Sequence, residues 1–118
     1  MVTNNHMENS CIFCNIVKKE LPAEFEYESD ILVVFKDIKP KAPVHLLIVP
    51  KKHVQSIAEL TNDDRGMLAE LIYTAKDVAQ KKGLGGYRLS FNVGREGGQI
   101  IDHLHLHVLG GWVEAQST

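Results

Sequence analysis

The run HLHLHV, from His103 to Val108, alternates imidazole and aliphatic side chains. In a β-strand successive side chains point to opposite faces, so His103, His105 and His107 would share one face and Leu104, Leu106 and Val108 the other. A helix would scatter both sets around its surface. The run therefore specifies a strand with one packed aliphatic face and one face lined by ring nitrogens. An affinity tag is excluded, because tags are contiguous and terminal while this row is interrupted by core-type residues.

The rest of the chain has to supply the sheet around that strand. With 118 residues, 44% of them hydrophobic and 24% charged, one compact domain with one core is expected over residues 10–118. Residues 1–9 read as a disordered arm or an expression remnant, since MVTNNH has no apolar periodicity, and His6 is discounted with them. The formal net charge is −2 and the lysines fall in scattered pairs, Lys18–Lys19, Lys51–Lys52 and Lys81–Lys82. No basic patch is available for nucleic acid or a membrane surface. No apolar run approaches the ~18 residues of a spanning helix, and no signal-peptide pattern opens the chain, so a cytoplasmic location is expected.

Ser10 can cap a short helix whose apolar stripe is Ile12, Phe13, Ile16 and Val17, stopped by Leu21–Pro22. AEFEYES and ILVVFKD are strand-like runs joined at Ser29–Asp30, and Val44 to Val49 forms a further buried strand broken only by His45. Thr61 to Lys82 is helical, with Asn62 as the cap, Leu68, Leu71, Ile72, Ala75, Val78 and Ala79 on one side, and Gly83 as the terminator. YRLSFNV is a strand, GREGG a glycine loop, and IIDHLHLHVL the last strand. Strands arriving as neighbours without crossover helices predict an α+β domain: a five-stranded, mostly antiparallel sheet with one long and one short helix.

Three chemistries compete for the histidine row. A metal site built from the row alone leaves the third histidine without a task, because zinc recruits further ligands from elsewhere. Three satisfied core or surface histidines are at odds with strict alternation. A nucleophilic imidazole, by contrast, needs neighbours that fix its tautomer, and His105 at the centre of the row has one on each side. The glycine loop fits this reading. Gly94, Gly97 and Gly98 allow backbone N–H groups to converge on an anion, and Gln99 adds an amide. GREGG is neither a Walker loop nor a dinucleotide fingerprint, and taken alone it reads as a hairpin turn.

GGQ followed by HLHLHV and LGG, with DIKPKAPVHLLIVPKKH upstream and CIFCNIV near the start, resembles the histidine-triad family and, within it, the nucleoside phosphoramidase branch. His107 stands where the nucleotidyltransferase branch usually carries glutamine. The resemblance implies a homodimer that joins two five-stranded sheets. It also implies binding of purine nucleoside monophosphates and hydrolysis of P–N bonds, as in adenosine monophosphate linked to an amine or lysine, without a required metal.

It further implies that His105 is the nucleophile that becomes nucleotidylated, with His107 beside it on the phosphate. His45 and a backbone carbonyl would hold the nucleophile's ring, and His103 would neutralise or protonate the departing side. Asn92, Gly98 and Gln99 match positions around the phosphate, and Asp37 matches the carboxylate that accepts the ribose hydroxyls. Ile12, Phe13, Ile16, Phe35, Ile38 and Leu47 would form the slot for the base. From the residues alone, Ile12, Ile16 and Leu47 read more readily as core than as a ligand slot, and Asp37 reads equally as a turn cap. Ile100 stands where animal relatives carry serine near the leaving group, and the tail WVEAQST is short. Trp112 is given no role.

Cys11 and Cys14 read either as reduced packing thiols or as half of a structural zinc site. A thioredoxin-type pair would follow a strand, and none precedes Cys11. The resemblance completes the zinc reading with His45 and His103. A second functional reading treats the chain as a zinc- and nucleotide-binding interaction module whose hydrolysis is incidental.

Overall fold

The computed structural model describes residues 11–114; the expected Ser10 cap, the arm 1–9 and the tail residues 115–118 lie outside them. The strands are β1 (Phe25–Glu28), β2 (Leu32–Lys36), β3 (Val44–Pro50), β4 (Tyr87–Ser90) and β5 (Leu106–Gly110). They form one sheet in the order β1-β2-β3-β5-β4, every pair antiparallel. A short helix α1 (Ile12–Val17) and a long helix α2 (Arg65–Lys81) complete the α+β architecture expected from the sequence.

The period of two in each strand divides the core between the two faces of the sheet. Leu32, Val34, Leu46, Ile48, Leu104, Leu106 and Val108 pack with Leu71, Ala75, Val78 and Ala79 of α2. The opposite face carries Val33, Phe35, Leu47 and Val49, covered by Phe13 and Ile16 of α1. Leu106 is fully buried, and its truncation to alanine would cost about 2–5 kcal/mol. Both sheet faces are therefore packed, and the histidine row lies on the face of the smaller helix.

The helix ends differ from expectation. Cys11 rather than Ser10 is the described cap of α1, its Sγ accepting from Cys14 N at 3.2 Å. Helix α1 also stops at Val17, ahead of Leu21, with Lys19 in the left-handed region at φ 65°. The long helix is entered through a 3-10 turn, Asn62–Asp64. There Asp64 accepts from Thr61 N at 2.9 Å and from Lys52 Nζ at 2.7 Å, so Thr61 and Asp64 take the role expected of Asn62. Ile72, expected on the buried stripe, is 41% exposed. Among the described residues no helix is long and apolar enough to cross a membrane.

The final strand is shorter than the sequence pattern. The β3–β5 ladder ends at the pair Ile48–Leu106, two residues short of the end of β3 at Pro50, so His103, Leu104 and His105 lie outside the ladder. Leu104 N bonds instead to Val54 O at 2.7 Å, which continues the alternation by other means.

Candidate active site

The alternation places the row as the sequence predicts. His105 and His107 have ring centroids 4.9 Å apart, and the edge of Phe13 meets both His103 and His105, at 5.9 and 5.1 Å. His45 joins them from β3. It pairs in register with Leu109 while Leu47 faces His107, so His45 is the diagonal neighbour of His107, within reach of a long side chain. Its Nε2 lies 2.9 Å from His107 Nδ1.

Hydrogen bonds fix which ring nitrogen carries each proton. Lys41 N–H donates to His45 Nδ1 at 3.0 Å, so a neutral His45 is protonated on Nε2 and donates to His107 Nδ1. His107 then keeps its own proton on Nε2. His105 Nδ1–H donates to the His103 carbonyl at 2.7 Å, leaving the Nε2 lone pair of His105 for attack. His103 Nε2–H donates to Pro50 O at 2.8 Å, leaving its Nδ1 lone pair toward the cysteines.

Burial keeps the rings neutral. It pushes His103 and His107 down to about 4, His107 also being lowered by the neighbouring His105 and His45. His105 is lowered by burial, partly offset by its bond to the His103 carbonyl and by Asp37; His45 is likewise lowered by burial against the pull of Asp37. A neutral, tautomer-fixed imidazole is the form in which histidine acts as a nucleophile.

Cys11, Cys14, His53 and His103 converge with their ligand atoms within 4.8 Å of one another, and neither cysteine is in a disulfide. Cys11 Sγ is 3.4 Å from both His53 Nδ1 and His103 Nδ1; Cys14 Sγ is 3.2 and 3.6 Å from the same two atoms. A tetrahedral zinc with Zn–S about 2.3 Å and Zn–N about 2.0 Å sets S···N edges of about 3.5 Å, so this donor set fits the metal.

The assignment of His45 to that set is corrected. The β3–β5 register places His45 opposite Leu109, six residues along the strand from His103, or roughly 20 Å at about 3.3 Å per residue. His53, just beyond the end of β3, takes the place. No local pattern in the sequence singled out His53; the signal is the strand register. Two role assignments change as well. His45 bonds His107 rather than His105, whose ring is held by the expected backbone carbonyl, that of His103. His103, fully buried with both ring nitrogens committed, has no proton to give a leaving group.

The glycine loop also departs from expectation. Its N–H groups are spent internally: Gly97 N and Gln99 N on Gly94 O, Gly98 N on Arg95 O, and Gly94 N on Gln99 Oε1. Gln99, only 2% exposed, donates its amide to Gln55 O and Ile101 O and has none left for a ligand. Asn92, two residues beyond the end of β4 at Ser90, donates to Gly97 O at 2.9 Å. A side chain at Gly98 would meet that amide at 3.3 Å and would require φ near +89°.

Of the expected base slot, Phe13, Ile16, Phe35 and Leu47 pack together, whereas Ile12 and Ile38 stay exposed, at 49% and 88%, and Ile100 at 81%. Asp37 Oδ1 accepts from Lys39 N at 2.9 Å, capping a turn as its alternative reading foresaw, while Oδ2 lies 3.5 Å from His45 Nε2. A cleft lined by Glu26, Tyr27, Thr74 and Asp77 lies on the α2 side and holds none of these groups.

Comparison with known proteins agrees with this geometry. The family described as scavenger mRNA decapping enzyme C-term binding matches residues 10–117. A HIT-like protein of Synechocystis is 44% identical over 106 residues, 89% of this chain and 93% of the relative. A HIT family hydrolase from Legionella pneumophila superposes with a TM-score of 0.85 at 48% identity, covering 86% of this chain and 93% of its own. A zinc-bound histidine triad family protein from Mycobacterium smegmatis superposes with a TM-score of 0.80 at 26% identity, covering 90% and 78%. On the family match over residues 10–117 and these identities and coverages, the chain belongs to the histidine-triad family.

Proposed function

We propose that the protein hydrolyses P–N bonds of purine nucleoside phosphoramidates, such as adenosine monophosphate joined to an amine, through a nucleotidyl-histidine. The carrying observation is the tautomer set: His105 Nδ1–H bound to the His103 carbonyl, and His107 Nδ1 accepting from His45. The His105 Nε2 lone pair attacks phosphorus, the P–N bond to the amine breaks, and the amine departs with a proton from solvent. Water then attacks phosphorus, the P–Nε2 bond breaks, and the nucleoside monophosphate leaves. His107 Nε2–H donates to a phosphate oxygen as charge builds. Ile100 offers no hydroxyl to relay a proton. The hydrolase relatives support the reaction class; the substrate rests on the site residues.

His105→Ala tests it. Turnover of a fluorogenic adenosine phosphoramidate should vanish while nucleotide binding remains, and wild type mixed with substrate should show a nucleotidyl adduct by intact mass. Undiminished turnover in the mutant rejects the mechanism. A wild-type kcat/KM far below ~10⁴ M⁻¹s⁻¹ favours the binding-module reading instead. Asp37 Oδ2 is the oxygen left for ribose, so 2′-deoxyadenosine monophosphate should bind weaker by about 1–3 kcal/mol; equal affinities by calorimetry remove that role.

Zinc held by Cys11, Cys14, His53 and His103 belongs to the same reading as a structural ion, since four protein ligands close its shell. A cytoplasmic setting would keep those thiols reduced. A homodimer is proposed through the open edge of β4 and α2, where Tyr87, Leu89, Ile72 and Tyr73 are exposed. Light scattering should give twice the chain mass; an active monomer at micromolar concentration rejects it.

A further inference from the structure

The glycine loop is held from two sides. On the inside, the buried amide of Gln99 ties three backbone points together: the start of the loop at Gly94 N, its exit at Ile101 O, and the segment after β3 at Gln55 O. On the outside, the Arg95 guanidinium grips the Asp102 carboxylate through two bonds, at 2.7 and 2.9 Å, and donates to Gln99 O at 2.8 Å. An exposed ion pair contributes little to stability, but a bidentate one fixes geometry. The loop so fixed presents Gly97 O, and that carbonyl orients the amide of Asn92 at 2.9 Å. Asn92 has a second amide hydrogen. The exit residue Ile101 packs on the Phe13–Phe35–Leu47 cluster, whose Phe13 edge lies 5.1 Å from the His105 ring, so the loop is anchored at the nucleophile.

We propose that Arg95 and Gln99 are positioning residues for the phosphate end of the site: they contact no substrate, and set the loop that aims the Asn92 amide at a phosphate oxygen. This deepens the nucleotide reading above and rests on it. Residues that hold a loop act on the group the loop meets. Arg95 variants should therefore weaken ligands carrying a phosphate and spare ligands lacking one.

The experiment is calorimetric titration of wild type, Arg95→Met, Arg95→Lys and Gln99→Met with adenosine and with adenosine monophosphate, alongside thermal melts and the split of kcat from KM. In Arg95→Met the monophosphate should lose about tenfold in affinity, the scale of one hydrogen bond to a charged group, while adenosine binds as in wild type. Arg95→Lys should fall between, since it keeps the charge and loses the fork. Turnover should drop through kcat as well as KM, by up to about 10²-fold in Gln99→Met, as expected for a misplaced contact. Gln99→Met strands buried polar groups; if it fails to fold, Arg95→Met, on the surface, carries the test alone. Equal affinity of Arg95→Met and wild type for the monophosphate overturns the proposal. So does parallel weakening of both ligands with a lowered melting temperature, the signature of a merely structural role. A wild type that binds neither ligand removes the nucleotide reading, and this proposal with it.

Discussion

At one end of the histidine row, His103 anchors its Nε2–H on Pro50 O and turns the Nδ1 lone pair to two thiols. At the other, His107 Nδ1 accepts a hydrogen bond from His45 Nε2–H, so its own proton sits on Nε2, a donor. The same side chain, four residues apart on one face, turns a ring lone pair toward two thiols at one end and a ring N–H outward at the other. What differs is the backbone group each neighbouring ring meets: a carbonyl for His103, the Lys41 N–H for His45. His105 between them, the proposed nucleophile, draws on the first end through the His103 carbonyl and on the second through ring packing with His107.

The comparison breaks most visibly at the donor end. His107→Ala should lower turnover by about 10²–10³-fold, the effect of losing one preorganised donor to a developing charge, with the fold retained. A loss below tenfold in steady-state hydrolysis would show that the two ends do not differ in this way.

Acid comes next. Burial lowers His105 and His107 below the ordinary histidine value of 6.5, His107 to about 4, so their neutral forms persist below pH 6.5. The kcat/KM profile should therefore stay flat through pH 6.5 and fall only below it. Stability follows the same sign: the unfolded chain takes up protons near pH 6.5 and the folded one lower, so the contribution is full above 6.5 and declines toward 4. A rate break at or above 6.5 would contradict the buried, neutral row.

The smallest effect on turnover is expected at the ligand end. Cys14→Ser should lose bound zinc by elemental analysis and lower the melting temperature while keeping most activity. His45→Gln should leave zinc content unchanged and His53→Gln reduce it, which separates the Cys11–Cys14–His53–His103 cluster from the set the sequence implied. A metal-free, fully stable wild type would return both cysteines to packing.

Much of the fold was legible because alternation is local. HLHLHV, ILVVFKD and VHLLIV each display their two faces in the order of residues, and Leu104, Leu106 and Val108 lie in the α2 core as that order requires. The helix over Thr61 to Lys82 was legible for the same reason, from its 3.6-residue period. The site was legible in its members and less so in its pairings. Choosing between His45 and His53 as partner of His103 needs the β3–β5 register, a long-range property no local pattern carries. The tautomers depend on Lys41 N–H, Pro50 O and the His103 carbonyl, backbone groups that residue names do not reveal. GREGG showed that a loop was present and not that its own N–H groups would be consumed within it.

Cys11 and His103 stand 92 residues apart in sequence, yet their ligand atoms are 3.4 Å apart. A metal joining them would be a cross-link that closes nearly the whole chain into a ring, and ring closure on that scale removes roughly 4–5 kcal/mol of unfolded-chain entropy by the loop-length relation for covalent links. The first helix makes no ladder bonds to the sheet, so this link would tie the chain's opening segment to its last strand. Its timing follows from the same topology. Both thiols leave the ribosome early and His103 comes near the end of the chain, so a metal site built from them would close only after most of the sheet has been made.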